Sequence, residues 1–128
     1  MRIKLTSLFV NDQERALRFY TEVLGFRKKL DITAGKFRWL TVVSPEEPEG
    51  AQLQLGPNDN PAAKKFQEAM FKQSIPAASF FVEDLQIEYE RIKQLRTRFT
   101  MEPTKTPGSK IAVFDDTCGN LIQLTQLT

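Results

Sequence analysis

The chain has 128 residues, of which 41% are hydrophobic, so it is long and apolar enough to bury the core of one compact domain. Its 18 Lys and Arg residues nearly balance its 16 Asp and Glu residues, and this net charge of +2 is too small an excess to imply a surface for nucleic acid or membrane lipids. It has no histidine, so the commonest general base and the commonest transition-metal ligand are both missing. A lone Cys118 excludes an internal disulfide and, in a chain without an apolar run resembling a signal peptide, predicts a cytoplasmic protein.

One short pattern occurs twice. Ser-Leu-Phe-Val-Asn-Asp at residues 7–12 returns as Ser-Phe-Phe-Val-Glu-Asp at residues 79–84, an offset of 72 residues. After each copy, apolar residues three positions apart predict a helix with one buried face. Asn11 begins a predicted capping box for the first helix, Asp84 is the predicted cap of the second, and Gly25 ends the first with a left-handed turn. We therefore interpret the chain as a duplicated unit that starts with a strand and a helix.

Strands are predicted after each helix, where apolar residues are bounded by turn residues. They cover residues 37–43 and 51–55 in the first half, with a weaker candidate at 30–32, and residues 110–114 and 121–125 in the second half. Between the halves, Asn60 as a cap and Pro61 at the first helical position predict a short linker helix. Two placements are open for this helix, which packs at the edge of the sheet or covers part of a cleft.

Three stretches carry a resemblance to a known family. They are Val-Asn-Asp at residues 10–12 with Phe-Tyr-Thr-Glu-Val-Leu-Gly-Phe at 19–26, Phe-Phe-Val-Glu-Asp at 80–84, and Phe-Asp-Asp-Thr-Cys-Gly-Asn-Leu-Ile-Gln-Leu at 114–124. In these stretches the chain resembles the vicinal oxygen chelate superfamily, which contains glyoxalase I, bleomycin-resistance proteins and extradiol dioxygenases. The resemblance implies an α+β fold in which two βαβββ modules form an open U-shaped sheet with helices on the outer face. It implies one domain over residues 1–128, with module one at about 1–57, the linker helix at about 58–74 and module two at about 75–128.

The resemblance also implies where a metal ion would bind. Metal-dependent members place a ligand on the first strand of each module and a carboxylate on the last strand of each. Here the first-strand positions are Leu5 and Ala77, and the last-strand positions are Gln52, or Gln54 if the register slips, and Gln123. Leu and Ala coordinate nothing, and neutral amides give a divalent ion no charge compensation. We therefore predict no metal and no other cofactor, and we do not expect lactoylglutathione lyase activity because Gln123 cannot act as its general base.

Strand alternation predicts which side chains line the trough of the sheet. If the four positions above point inward, the same faces carry Thr125 and the predicted ligand-binding residues Ser7, Phe9, Gln52, Gln54, Ser79, Phe81 and Gln123. Trp39 and Phe37 also line the trough if their strand turns the same face inward. A place for Trp39 in the hydrophobic core is an equally good interpretation. Duplication by itself also explains the matched Ser and Gln pairs. A lining of aromatic and uncharged hydrogen-bonding groups suits a small neutral or planar ligand.

Two other groups could carry out chemistry in principle, and we interpret both as structural. Cys118 has no histidine to activate its thiol. Asp115 and Asp116 are adjacent carboxylates, but Asp116 matches the family's turn aspartate and is expected to organise backbone hydrogen bonds.

Three functions follow from this interpretation. The favoured one is a metal-free protein that binds a small molecule, paired as a homodimer in the manner that the resemblance implies, without nucleic acid or membrane partners. The second is an enzyme, a lyase, isomerase or dioxygenase, with a ligand set placed elsewhere or a metal-independent route. The third is a regulatory or structural interaction protein whose trough is filled by its own side chains.

Overall fold

The computed structural model describes residues 1–128 and has two βαβββ modules, one after the other. The first module contains β1 (Leu5–Val10), α1 (Gln13–Arg18) with a π-helical turn (Phe19–Val23) that continues it, β2 (Arg27–Ala34), β3 (Phe37–Val43) and β4 (Gln52–Pro57). After α2 (Pro61–Lys72), the second contains β5 (Ala78–Phe81), α3 (Leu85–Gln94), β6 (Phe99–Thr106), β7 (Ser109–Asp115) and β8 (Leu121–Leu127). The predicted α+β class and the paired modules are confirmed.

Each module builds its own four-stranded sheet. Sheet one has the strand order β1-β4-β3-β2 and sheet two the order β5-β8-β7-β6. In both, the first and last strands of the module pair in parallel at one side, and the other neighbours are antiparallel. The chain divides into two compact units, residues Met1–Lys65 and Phe66–Thr128.

The helices after the two repeated patterns begin at equivalent aspartates. The Asp12 carboxylate accepts a hydrogen bond from the backbone N–H of Arg15 at 3.0 Å, and Asp84 accepts one from Ile87 at 3.2 Å. The backbone donor at Arg15 also lowers the pKa of Asp12. The prediction of Asn11 as the first cap is wrong by one residue, because Asp12 has the extended backbone and reaches the donor three positions on.

In each unit, one face of the sheet is buried with a helix. Unit one packs α1 against β4 and buries Tyr20 with the alternating strand residues Leu8, Val10, Leu40, Val42 and Leu55. Unit two packs α3 against β6, β7 and β8 and buries Leu85, Ile92, Phe114, Ile122 and Leu124. Gly25 ends the first helical segment with φ of 88°, as predicted.

Two edge strands were poorly visible in the sequence. The weak candidate at residues 30–32 is part of the eight-residue β2, and β6 was not predicted. Both strands lie at a sheet edge with mostly exposed side chains, so neither has strong apolar alternation. Pro103 adds to the difficulty, because it lies in β6 where the pairing with β7 shifts register.

The linker helix is confirmed as α2. Asn60 caps it by accepting a hydrogen bond from the N–H of Ala62 at 2.8 Å, and Pro61 is its first residue. None of the helices combines the length and the hydrophobicity of a transmembrane span.

Candidate functional site

The exposed face of sheet one carries the predicted polar and aromatic residues of module one. The parallel pairing of β1 with β4 sets Leu5 beside Gln52, Ser7 beside Gln54 and Phe9 beside Gly56. Leu5 and Phe9 are 43% and 40% exposed, whereas Leu8 and Val10, which alternate with them, are buried. The predicted alternation of β1 is therefore confirmed.

Hydroxyl groups orient both glutamine side chains on this face. Ser7 Oγ donates to Gln54 Oε1 at 2.7 Å, and Thr41 Oγ1 donates to Gln52 Oε1 at the same distance. Thr41 in turn accepts a hydrogen bond from the N–H of Leu30 at 3.2 Å, so its single hydroxyl proton is left for Gln52. Each glutamine thus has its carbonyl oxygen engaged within the sheet and its NH₂ group directed elsewhere.

Trp39 lies on this same face. The antiparallel pairing of β3 with β4 sets Thr41 beside Gln54, and Trp39 and Phe37 follow Thr41 at two-residue steps. The rings of Phe37 and Trp39 lie 6.2 Å apart at an angle of 40°. Of the two parities left open by the sequence, the strand register selects the one that places Trp39 with Ser7 and the glutamines.

The ladder between β3 and β4 stops close to Trp39. It contains only the pairs Thr41 with Gln54 and Val42 with Leu53, whereas the equivalent ladder of β7 with β8 has seven pairs. The side-chain amide of Gln13 donates to the carbonyl of Arg38 at 3.0 Å and to that of Leu55 at 2.8 Å, one on each strand. Gln13 therefore satisfies backbone acceptors where the two strands no longer pair.

Sheet two has a corresponding face. The pairing of β5 with β8 sets Ser79 beside Gln123 and Phe81 beside Thr125. Thr125 Oγ1 shares a hydrogen bond with Ser79 Oγ at 2.8 Å and accepts one from Gln123 Nε2 at 3.0 Å. Phe81 is 65% exposed. Ser79, Thr125 and Gln123 thus form one network on this face.

These registers decide which glutamines are equivalent. Ser7 pairs with Gln54 in sheet one, and its repeat partner Ser79 pairs with Gln123 in sheet two. The last-strand position that corresponds to Gln123 is therefore Gln54, and the prediction of Gln52 is corrected to its alternative. The distance along the chain from Ser7 to β4 differs from that between Ser79 and β8, so a constant offset does not find the match.

The residues at the family's metal positions do not fit a metal site. Leu5 and the residue Ala77 before β5 have no donor atom, and Gln54 and Gln123 offer neutral amides whose polar atoms already contact Ser7 and Thr125. Elsewhere in the chain, no three Asp, Glu or Cys side chains converge as a group that could hold a metal ion.

The ion pairs of Arg38 lie on the opposite side of sheet one. Arg38 donates to both carboxylate oxygens of Asp31, at 2.9 and 2.8 Å, and to Glu14 at 3.2 Å. The guanidinium of Arg38 lowers the pKa of Asp31, and Asp31 raises the pKa of Arg38. In β1, β3 and β4, every side chain on the exposed face is uncharged.

The comparisons with known proteins agree with this fold. A family model described as the Glyoxalase/Bleomycin resistance protein/Dioxygenase superfamily matches residues 2–124. The chain belongs to this superfamily. The uncharacterized protein YurT of Bacillus subtilis (strain 168) is 56% identical to it over 126 residues, which cover 98% of this chain and 99% of YurT.

Two solved structures are also similar over nearly the whole chain. UcmS2 has a TM-score of 0.85 and 35% identity, with 98% of this chain and 97% of UcmS2 covered. TnmS3, described as an antibiotic binding protein from Streptomyces sp. CB03234, has a TM-score of 0.80 and 26% identity, with 100% of this chain and 97% of TnmS3 covered.

Three residues on or behind the candidate site were not named from the sequence as site residues. Thr41 and Gly56 line the face of sheet one, and Gln13 supports it from the start of α1. Thr41 lies within a predicted strand, and its alternation with Trp39 was the available signal. Gly56 and Gln13 gave no signal of their own, because their places depend on pairing between distant strands.

Proposed function

We propose that this superfamily member is a metal-free binding protein that holds a small, neutral and planar ligand against the exposed face of sheet one. The observation that carries the proposal is the chemistry of that face. On this face, amides and hydroxyls held by hydrogen bonds to one another lie beside exposed aromatic rings, and β1, β3 and β4 place no charge among them. Fixed neutral donors and flat apolar surfaces favour a neutral aromatic compound over a charged one.

The ligand set argues against the metal chemistry of the superfamily. Two neutral amides with no first-strand donor leave a divalent cation without charge compensation, and no carboxylate is placed to act as a base. A role in holding a small molecule is supported by the likeness to TnmS3, which is described as antibiotic binding.

We also propose that two copies of the chain pair and together complete the binding site. Ile32 pairs with Trp39 and so lies on the exposed face of sheet one, where it is 54% exposed, and Phe37 is 45% exposed. A contiguous apolar face of this kind favours a protein partner around a bound ligand. This second copy is the partner expected from the family resemblance.

One experiment tests both the absence of a metal and the binding of a planar ligand. Protein purified without chelator is analysed by elemental mass spectrometry and titrated with fluorenone, a flat neutral aromatic ketone, before and after treatment with EDTA. We expect far less than one metal ion per chain and the same saturable shift of the indole N–H signal of Trp39, the single tryptophan, in ¹H–¹⁵N spectra. A stoichiometric metal whose removal abolishes binding would contradict the proposal.

A further inference from the structure

The equivalent glutamines of the two modules, Gln54 and Gln123, differ in the hydrogen bonds that their side-chain NH₂ groups make. In sheet two, the Nε2 group of Gln123 donates to Thr125 Oγ1 at 3.0 Å, and the same hydroxyl shares a hydrogen bond with Ser79 at 2.8 Å. The amide donor of Gln123 is therefore satisfied by its own module.

In sheet one, the residue that corresponds to Thr125 is Gly56, because Phe9 pairs with Gly56 as Phe81 pairs with Thr125. The carbonyl oxygen of Gln54 is engaged by Ser7 at 2.7 Å. Its Nε2 group lies 3.7 Å from the place where a Cβ on Gly56 would be, and no group of the protein accepts a hydrogen bond from it. The Nε2 donor of Gln54 thus lies beside the position that corresponds to Thr125 in module two. Module two has a hydroxyl acceptor at that position, and module one has none.

The backbone does not require glycine at residue 56. Its φ is not in the left-handed region, and the nearest atoms to an added Cβ lie at 3.7 to 3.9 Å, which are ordinary van der Waals distances. Glycine inside a strand weakens the strand, whereas threonine favours it. The neighbours of an added Cβ therefore do not require glycine at residue 56, and the effect of the glycine is that Gln54 Nε2 lacks the hydroxyl acceptor that Thr125 gives Gln123.

We propose that Gly56 forms a notch that receives a hydrogen-bond acceptor of the ligand. Within the proposed function, on which this inference rests, the ligand is a flat aromatic compound with a ring carbonyl oxygen. That oxygen takes the place of the Thr125 hydroxyl and accepts a hydrogen bond from Gln54 Nε2, while the ring contacts Phe9. Gln54 is then the residue that selects for a carbonyl, whereas the amide donor of Gln123 is already engaged by Thr125.

The test compares fluorenone with fluorene, two flat neutral compounds that differ in one ring carbonyl, by NMR titration of ¹⁵N-labelled protein. Wild-type protein is expected to bind fluorenone about fivefold more tightly than fluorene, since one neutral hydrogen bond contributes about that factor. The side-chain NH₂ signals of Gln54 are expected to shift with fluorenone and not with fluorene. Gln54→Leu is expected to bind both compounds equally, and the matched substitution Gln123→Leu in module two to keep the preference.

A second variant tests the notch directly. Gly56→Thr installs the hydroxyl of module two, and it is expected to keep the melting temperature of the wild type while losing the preference for fluorenone. If wild type shows no preference, or if Gln54→Leu or a folded Gly56→Thr retains it, the inference is overturned and planar-ligand binding stands. If neither compound binds the wild type, the proposed function fails together with the inference.

Discussion

At the scale of single residues, Asp116 shows how a buried carboxyl group is used for structure. Its Oδ1 atom accepts hydrogen bonds from the N–H groups of Cys118 at 2.7 Å and Asn120 at 3.0 Å, and its Oδ2 atom accepts one from Asn120 Nδ2 at 2.9 Å. The side chain is completely buried. The expectation that Asp116 organises the turn is confirmed, and Cys118 is buried within the same turn.

Asp116→Ala is therefore expected to lower the free energy of unfolding by about 2 to 4 kcal/mol, because it leaves buried backbone donors without partners. The matched substitution Asp115→Ala removes one hydrogen bond, to the N–H of Thr117 at 2.7 Å in an exposed setting, and is expected to cost about 1 kcal/mol or less. Urea denaturation of both variants measures the difference. Equal losses of stability would show that the buried network of Asp116 contributes no more than the single exposed hydrogen bond of Asp115.

At the scale of elements, α2 is attached to unit two by the same turn. The side-chain NH₂ group of Gln67 donates to the carbonyl of Cys118 at 3.0 Å and to Asn120 Oδ1 at 3.2 Å, and Gln67 is buried. A Cβ on Gly119 would lie only 2.6 Å from Gln67 Nε2, so the helix approaches the turn closely at a residue without a side chain. Buried, satisfied amides of this kind hold an element in one position.

Gln67→Leu is expected to lower the stability of the protein by about 1 to 2 kcal/mol, because it removes the partners of two buried acceptors. It is also expected to speed hydrogen exchange at the backbone amides from Phe66 to Lys72. Hydrogen-exchange mass spectrometry provides the readout, with Gln73→Leu, an exposed residue just after the helix, as the control. Unchanged exchange in Gln67→Leu would mean that other contacts hold α2.

At the scale of the whole molecule, the exposed apolar face of sheet one supports the proposed pairing of two copies. Ile32 and Thr33 are adjacent and both exposed, but Ile32 pairs with Trp39 on the exposed face and Thr33 pairs with Arg38 on the other. A Glu substitution at each position therefore distinguishes the effect of a charge on the exposed face from the effect of a charge elsewhere on the same strand.

Ile32→Glu is expected to convert a dimer to a monomer, since it places a charge in the proposed interface, whereas Thr33→Glu leaves the dimer intact. Light scattering coupled to size-exclusion chromatography measures the mass of each, and circular dichroism checks that both are folded. A monomeric wild type, or a dimer that survives Ile32→Glu, would count against the proposed interface.

Much of the architecture was predictable from local patterns. The repeated strand and helix starts at residues 7–12 and 79–84 determined the duplicated modules, because a fixed offset with alternating apolar residues is a property of the chain itself. The sequence was equally sufficient to show that Leu5 and Ala77 are not metal ligands, since a side chain without a donor atom cannot bind a metal wherever the fold places it. Asn60 and Pro61 located α2 by local capping chemistry.

Only the tertiary structure decided how strands from distant parts of the chain align. It matched Gln54 with Gln123, placed Trp39 on the exposed face, revealed β6 and set Gly56 where module two has Thr125. Strand register depends on loop lengths and on packing against the partner strand, and a one-residue slip reverses the face of every side chain. The sequence by itself therefore determined the modules and the chemistry of their side chains, and long-range pairing decided which of those side chains meet.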